Sequence, residues 1–225
     1  MLEISQGRMA DCRDGDRIST LQGWSESDLG LDAEATHFGF IFEGTGRLQR
    51  NRHSYPLDSG MYFSLPGRGW LSGQGSGIVI SLWGYRGWFL LGGPVESSGR
   101  LRYIDGCSDS LLIPPIVKGD PCLNLLWLPP ATQQTSHTHP SHRIGVIVTG
   151  RGVCRTPEQD DSILEPGSAW VIAAGAEHSF HTGDQGMATI AYHPDSDFGP
   201  SHDDHPMLNR TFIQGVSARR LRPGN

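Results

Sequence analysis

The feature that most restricts the fold of this chain is an internal repeat. Residues 37–46 and residues 143–152 are both apolar segments that end in a Gly-x-Gly pair. Glycine reaches positive φ at little steric cost, so each segment is predicted to be a strand closed by a turn. The matched residues, shifted by 106 positions, are Gly39, Ile41, Gly44 and Gly46 in the first segment and Gly145, Ile147, Gly150 and Gly152 in the second.

A second block repeats in the same order. Residues 57–60 (Leu-Asp-Ser-Gly) precede the apolar residues 61–66, and residues 164–167 (Leu-Glu-Pro-Gly) precede residues 168–173, at a shift of 107 positions. Two blocks that agree in order and spacing favour two copies of one β unit over a coincidence of turn patterns. We place the junction near residues 98–106, with residues 97–100 as the linker.

The composition fits an all-β chain of two units. Glycine (30 residues) and proline (15 residues) are frequent, as in short strands joined by tight turns. No segment has a long apolar period of 3.6 residues, so little helix is expected. The 225 residues are enough for two small barrels of about 100 residues each, which we assign to residues 1–104 and 105–225.

Charge and hydropathy exclude several partners. The net charge is −6 and the basic residues are scattered, whereas a nucleic-acid-binding protein needs a basic face. The N-terminal residues are polar, and the longest apolar stretch, residues 88–95, is too short to span a bilayer. We therefore expect a soluble, cytoplasmic protein. Free thiols are expected at four cysteines without CxxC spacing, which are Cys12, Cys107, Cys122 and Cys154.

Three histidines in the second copy carry the predicted chemistry. His137 and His139 share one face of an extended strand, because residues i and i+2 point the same way. His178 follows a turn at Gly167, an apolar strand and a second glycine, Gly175, so it can reach the pair from a facing strand. A lone histidine is usually a surface or hydrogen-bonded residue. Three histidines whose spacing lets their side chains meet favour a site for Fe(II), Ni, Zn, Co or Mn, with open coordination positions for substrate or water.

These residues resemble the two sequence motifs of the cupin superfamily. The first motif contains His-x-His, then a glutamate, then a glycine seven residues after the glutamate, and the second contains two glycines and a histidine. With the repeat, the resemblance implies a bicupin, an all-β chain of two cupin-type double-stranded β-helix (jelly-roll) barrels in tandem, with one divalent metal ion. The matching residues are His137, His139, Gly150, Gly167, Gly175 and His178.

The chain departs from the family pattern at the glutamate. Arg143 stands seven residues before Gly150, where the fourth ligand is expected. A guanidinium stays charged and cannot bind a metal, so the site should have three histidines and, if Arg143 points inward, an added positive charge. The adjacent His142 is an alternative fourth ligand. It lies an odd number of residues from His137 and His139, so in an extended strand its side chain would point to the opposite face, and the preceding Pro140 also argues against it.

The first copy has lost the metal-binding residues. Leu31 and Ala33 occupy the positions of the histidine pair, His37 occupies the glutamate position, and Leu71 is matched with His178. We therefore expect a degenerate, metal-free N-terminal barrel that serves as a packing partner, a lid or a dimer surface. His37 is expected to be structural.

The segment after the last strand is rich in histidine and acids. It is either a loop that supplies a histidine to a second metal or to acid–base chemistry, or a solvated cluster of turns, which we favour. The candidates are His193, His202 and His205, of which His193 is the best because it ends the predicted strand 188–192. Trp170 flanks the predicted ligands and is expected to pack the barrel or line its pocket.

Two functions fit these features. The favoured one is a mononuclear metal enzyme similar to the three-histidine thiol and β-diketone dioxygenases of the cupin superfamily. Arg143 would then anchor the carboxylate or enolate of a small acidic or enolisable molecule. The alternative is a non-catalytic small-molecule-binding or sensor module in which Zn or Ni is structural or holds an acidic ligand. A homodimer is expected from the family resemblance alone.

Overall fold

The computed structural model describes residues 1–157 and 159–221, and most of its regular structure is β-strand. In the first half the strands are β1 (Leu2–Glu3), β2 (Gly7–Asp14), β3 (Arg17–Ser25), β4 (Leu29–Leu31), β5 (Ala35–Arg50), β6 (His53–Asp58), β7 (Tyr62–Pro66), β8 (Gly69–Trp83) and β9 (Leu90–Gly92). In the second half they are β10 (Leu101–Arg102), β11 (Ser108–Ile113), β12 (Cys122–Leu128), β13 (Arg143–Thr156), β14 (Gln159–Leu164), β15 (Ser168–Ile172), β16 (Ser179–His193), β17 (Phe212–Ile213) and β18 (Val216–Ser217).

Helical structure is limited to short segments. One α-helix, α1 (Pro206–Arg210), and two 3₁₀ turns, Ile104–Gly106 and Ala218–Leu221, occur in the described residues. Within the same residues, no helix has the length and apolar character needed to cross a membrane.

Sixteen of the strands form two eight-stranded sheets whose order repeats, and β17 and β18 pair separately. In the first sheet the order is β2-β3-β8-β5-β7-β9, with β4 paired to β8 and β6 paired to β5. In the second it is β10-β11-β12-β16-β13-β15-β1, with β14 paired to β13. The two orders match strand by strand. The corresponding pairs are β2 and β11, β3 and β12, β8 and β16, β5 and β13, β7 and β15, and β6 and β14. The predicted repeat is present in the topology as well as in the sequence.

The Gly-x-Gly pairs do not close the strands as predicted. β5 and β13 each continue through them for several more residues, and the pairing register with the neighbouring strand shifts nearby. Gly44 and Gly150 have φ of 73° and 78°, as expected for glycine, but both lie inside one long strand, Gly150 at a bulge and Gly44 shortly after one. The sequence cannot separate a bulge from a turn, because both need the same positive φ.

Three apolar clusters hold the two sheets. One lies inside each barrel, and the third lies between the barrels and takes residues from both halves of the chain. Alternation along the strands separates them. On β16, for example, Met187 and Ala191 face the interior of the second barrel, whereas Ile190 and Tyr192 face the first barrel. The four cysteines are free.

Candidate metal centre

The structure brings the three predicted histidines together. His137 and His139 lie on an extended segment before β13, not on a regular strand, and His178 immediately precedes β16. His137 and His178 form an isolated antiparallel bridge with two backbone hydrogen bonds of 3.0 Å. Their ring centroids are 4.5 Å apart, and that of His139 lies 4.9 Å and 5.1 Å from them. One potential ligand nitrogen from each ring lies within 4.8 Å of the others.

Backbone carbonyls orient two of the rings. Nδ1 of His137 lies 2.8 Å from the carbonyl oxygen of Thr135, and Nδ1 of His178 lies 3.0 Å from that of Ala176. Because a carbonyl only accepts, each Nδ1 carries the proton and donates it. The second nitrogen, Nε2, is left with a lone pair, the form that binds metals.

Burial and nearby positive charge favour the neutral forms of His139 and His178. Burial, then Arg143 and the two other rings, lowers the pKa of His139 to about 3. The pKa of His178 is also lowered, chiefly by burial. A neutral imidazole needs no deprotonation before it binds a metal, so the site is competent for metal binding at neutral pH.

The histidines open into a small cavity inside the second barrel. Its volume of about 40 Å³ has room for about three water molecules. Apolar and aromatic side chains form part of the wall, and the cavity is partly screened from solvent, with His178 buried and His137 and His139 half-buried. The lining residues are Tyr103, Leu126, Gln134, His137, His139, Arg143, Trp170, Ile172, His178, Phe180, Ala191 and His193.

Arg143, the residue at the glutamate position, points inward. It begins β13 and is only 7% exposed. Its Nη1 donates to the carbonyl oxygen and the hydroxyl of Ser141 (3.1 and 2.5 Å), and it lies 3.4 Å from Oδ1 of Asp195. Its Nε is buried and has no hydrogen-bond partner among the described residues. Burial lowers the pKa of the guanidinium, but arginine remains charged. Nη1 of the guanidinium is therefore held by hydrogen bonds, whereas the Nε–H donor has no partner among the described residues.

The two other candidate ligands differ in their placement. His142 turns away from the cavity, because its backbone N–H and its Nδ1 both contact Oδ2 of Asp14, on β2 of the first barrel. His193 ends β16 and lines the cavity, with its ring centroid 6.2 Å from that of His139. Its pKa lies well below the usual value because of burial, Arg143 and His139. His205 instead accepts from the N–H of Met207 at the start of α1.

The first barrel has no equivalent cluster, although one matched position was wrong. Leu31 pairs with Gly69 just as His137 pairs with His178, so Leu31 holds the place of His137 as predicted. Gly69, however, and not Leu71, holds the place of His178.

The strand register shows where Leu71 belongs. It pairs with Leu48, and the residue matched to Leu48, Cys154, pairs with Phe180. A Cβ atom at Gly69 would lie 2.4 Å from Cδ2 of Leu65, so no side chain fits at the third ligand position. Apolar side chains and a glycine occupy the equivalent positions in this barrel.

His37 is structural, as expected. It is buried in the first barrel, with Nδ1 2.8 Å from Oγ of Ser81 and Nε2 2.9 Å from the carbonyl oxygen of Asp32. Burial lowers its pKa. Because both nitrogens are hydrogen-bonded within the first barrel, His37 has no lone pair left for a metal.

The geometry agrees with the comparison of the sequence with protein families. Residues 124–193, which include all three histidines, match the cupin domain family model. Part of the second barrel, residues 124–193, therefore resembles the cupin domain family in sequence. A search of curated proteins found no significant match.

Solved structures extend the structural likeness to both barrels. A cupin 2 conserved barrel domain protein from Leptotrichia buccalis aligns with a TM-score of 0.61 at 11% identity, over 85% of this chain and 90% of that one. Salicylate 1,2-dioxygenase from Pseudaminobacter salicylatoxidans aligns with a TM-score of 0.60 at 11% identity, over 79% and 70%. Oxalate decarboxylase from Bacillus subtilis aligns with a TM-score of 0.53 at 10% identity, over 90% and 77%. The predicted tandem of jelly-roll barrels is confirmed, and at these identities the likeness shows the fold alone.

Sequence analysis missed the polar groups that support Arg143. Asp195 and Ser141 hold its guanidinium, and Asp14 holds its neighbour His142. Asp195 lies two residues after His193, in the segment that we interpreted as a solvated turn. Its sequence neighbourhood carries no sign of a buried partner, and Asp14 lies 128 residues away from His142.

Proposed function

We propose that this protein binds one divalent metal ion on His137, His139 and His178 and acts on a small acidic or enolisable molecule that Arg143 anchors, as an oxidoreductase of the dioxygenase type. One observation carries the proposal. The three imidazoles share a partly buried cavity with a guanidinium whose Nε has no partner among the described residues. The positive charge of Arg143 and its Nε–H donor, beside three imidazoles, suit the binding of a small anion.

The donor set fits Fe(II), Ni or Zn. Imidazole nitrogen binds each of these ions well, and geometry and availability decide among them. When bound, the ion supplies Lewis acidity and open coordination positions, and iron adds redox chemistry. The three proposed ligands carry no negative charge, so an anionic substrate would be attracted to the metal position. Arg143 is paired with Asp195 through Nη1 and offers its Nε–H to the same anion.

The chain's own residues then bind, orient and shield the substrate. The Nε–H of Arg143 donates a charge-assisted hydrogen bond to a carboxylate or enolate oxygen. Trp170 and Phe180 keep water from that oxygen, which strengthens the interaction because the local dielectric constant is low. His193 lines the cavity wall, and its lowered pKa keeps the ring neutral, so one of its nitrogens can accept a hydrogen bond from the substrate.

Two structural neighbours are consistent with an acidic substrate. By their names, one acts on salicylate and the other on oxalate, and the second has Mn(II) centres. Both substrates are carboxylates. We further propose that residues 1–104 form the metal-free barrel, apart from β1 and β10, which join the sheet of the other barrel, and that residues 105–225 form the metal-binding barrel. The homodimer and the cytoplasmic location stay predictions.

A non-catalytic binding or sensor module is the second candidate. The small cavity favours it, because about 40 Å³ leaves little space for two substrates beside a metal ion. On this hypothesis a Zn or Ni ion holds a small anion against Arg143 without turnover.

Metal analysis is the primary test. We expect about one metal ion per chain by plasma mass spectrometry of protein purified without a histidine tag, and none in His137→Ala/His139→Ala. A matched control, His53→Ala/His205→Ala, removes two exposed histidines and should keep the metal. A wild-type protein that binds no metal even after reconstitution would refute the metal site.

Oxygen uptake separates the two candidates. The iron-loaded protein should consume oxygen with at least one member of a panel of thiols, β-diketones and small carboxylates. A metal-loaded protein that binds these molecules but consumes no oxygen would be the binding module instead.

A further inference from the structure

The first barrel contacts the wall of the metal site through one hairpin. β2 ends at Asp14 and β3 begins at Arg17, so both residues flank the same tight turn. Oδ2 of Asp14 accepts from the backbone N–H of His142 (2.6 Å) and contacts Nδ1 of the same residue. Asp14 therefore binds the segment that joins the ligand His139 to Arg143.

A second contact runs through Asp195. Arg17 Nη1 lies 3.7 Å from Oδ2 of Asp195, and the other carboxylate oxygen, Oδ1, accepts from the hydroxyl of Ser141 (2.5 Å) and from Nη1 of Arg143 (3.4 Å). Asp195 is thus placed between an arginine of the first barrel and the arginine of the site. Arg17 offsets part of its charge and fixes the oxygen that holds Arg143.

Burial makes the Asp14 contact important. His142 is 1% exposed, and its other ring nitrogen, Nε2, is buried without a partner among the described residues. Water does not replace a lost acceptor in such a position, so removal of the Asp14 carboxylate would leave two donors of His142 unsatisfied.

The segment 139–143 is held from both barrels. On the side of the second barrel, the backbone N–H of Gly175 donates to the carbonyl oxygen of His139 (2.8 Å). On the other side, Asp14 holds His142. The first anchor holds the backbone of His139, and the second holds the residue directly before Arg143.

We infer that Asp14 and Arg17 are positioning residues that orient Arg143, so that the metal-free first barrel completes the site of the second. The inference rests on the proposed function in so far as Arg143 is taken to bind the anion. It gives the degenerate barrel a defined role, which is to hold one wall of a site to which it contributes no ligand.

An NMR measurement tests the positioning without any metal. In protein labelled with ¹⁵N-arginine, the buried Nε–H of Arg143 is identified as the signal lost in Arg143→Lys. We expect this signal to shift or disappear in Asp14→Ala and to shift less in Arg17→Gln. Asp14→Asn keeps one acceptor oxygen and should restore part of the wild-type signal. Asp16→Asn, an exposed acid in the same turn, should leave the signal unchanged.

Oxalate binding to the Co(II)-substituted protein, followed by its visible spectrum, tests the consequence. We expect about a tenfold higher Kd in Asp14→Ala, since a charge-assisted contact to a buried group is lost. We expect a smaller rise in Arg17→Gln and no change in Asp16→Asn. Leu57→Val, a buried substitution in the first barrel, controls for general destabilisation and should lower Tm without changing the Kd or the Arg143 signal.

The outcomes separate the two proposals. An Arg143 signal and an oxalate Kd that stay unchanged in Asp14→Ala would overturn the positioning role while leaving the anion site intact. Equal changes in Leu57→Val would overturn it as well, because general destabilisation would then explain them. If oxalate does not bind to the wild type but the signal responds to Asp14→Ala, positioning is supported and the anion-binding part of the proposed function fails.

Discussion

Asp109 is expected to make this protein less stable as the pH rises. The residue lies on β11, and Nδ2 of Asn124 donates to its Oδ2 at 3.2 Å. Its other oxygen, Oδ1, is buried without a partner among the described residues. Burial raises the pKa of this carboxyl from 3.8 to about 6, against the opposing hydrogen bonds from Ser110 and Asn124. The folded state therefore favours the neutral acid.

The direction and size of the effect follow from linkage. Between about pH 4 and pH 6 the unfolded chain has lost this proton and the folded protein still holds it, so the free energy of unfolding falls as pH rises. Each pKa unit corresponds to about 1.36 kcal/mol, which gives a total loss of about 3 kcal/mol. About half of this loss, roughly 1.4 kcal/mol, falls between pH 5 and pH 8.

Asp109→Asn removes the titrating group and nearly preserves its shape. We expect the difference in unfolding free energy, variant minus wild type, to increase by about 1.4 kcal/mol from pH 5 to pH 8. Urea denaturation in the presence of a chelator measures this difference without a contribution from metal binding. Asp28→Asn, at an exposed position, should show no such change. Parallel pH profiles for wild type and Asp109→Asn would refute the argument.

Three further predictions concern the backbone, the first barrel and the metal. Gly150→Ala should lower the unfolding free energy by about 3 kcal/mol or more in thermal or urea melts, because the added Cβ would lie 1.8 Å from the carbonyl oxygen of Gly186 at a φ of 78°. Gly175→Ala, at a φ of 72° with open space, should cost only about 1–2 kcal/mol. His37→Ala should cost about 3 kcal/mol yet leave the metal content unchanged, and a loss of metal would contradict its structural role. Zinc at one hundred times its Kd should stabilise the wild type by about 2.7 kcal/mol in calorimetry, and an equal gain in the metal-site double mutant would exclude the three histidines as ligands.

Local patterns predicted the strands and the histidine cluster. The pair His137 and His139 needs only the geometry of extended chain to place both rings on one side, and the glycine turns before His178 limit where the third ring can lie. Such signals are contained within a few residues, so they survive without knowledge of the packing. The side chain of Arg143 was predictable as a departure from the motif, but the direction in which it points was not.

The wrong position for Leu71 shows where a fixed offset between repeats fails. Near the bulge of the second barrel, Gly150 pairs with Met187 and Gly152 pairs with Thr182, so two steps on β13 oppose five on β16. In the first barrel Gly44 and Gly46 oppose Gly75 and Gly73, with no extra residues. Residues inserted at such a bulge shift the correspondence between the two repeats for all later positions. Where the insertion lies depends on hydrogen bonding across strands, which the sequence does not show.

Contacts between the barrels could not be predicted from sequence patterns either, because they join residues far apart in the chain. These contacts explain how a barrel without metal ligands can support the site. A positioning contact works only if its two sides are held rigidly together. The interbarrel cluster provides this, because Phe38 and Ile80 of the first barrel pack with Val146 and Ile190 of the second, all at 2% exposure or less. Each such side chain contributes about 1.5–3 kcal/mol on burial, far more than the exposed contact of Arg17 with Asp195. The apolar cluster therefore fixes the relative position of the barrels, and the polar hairpin at its edge uses that fixed position to set the direction of Arg143.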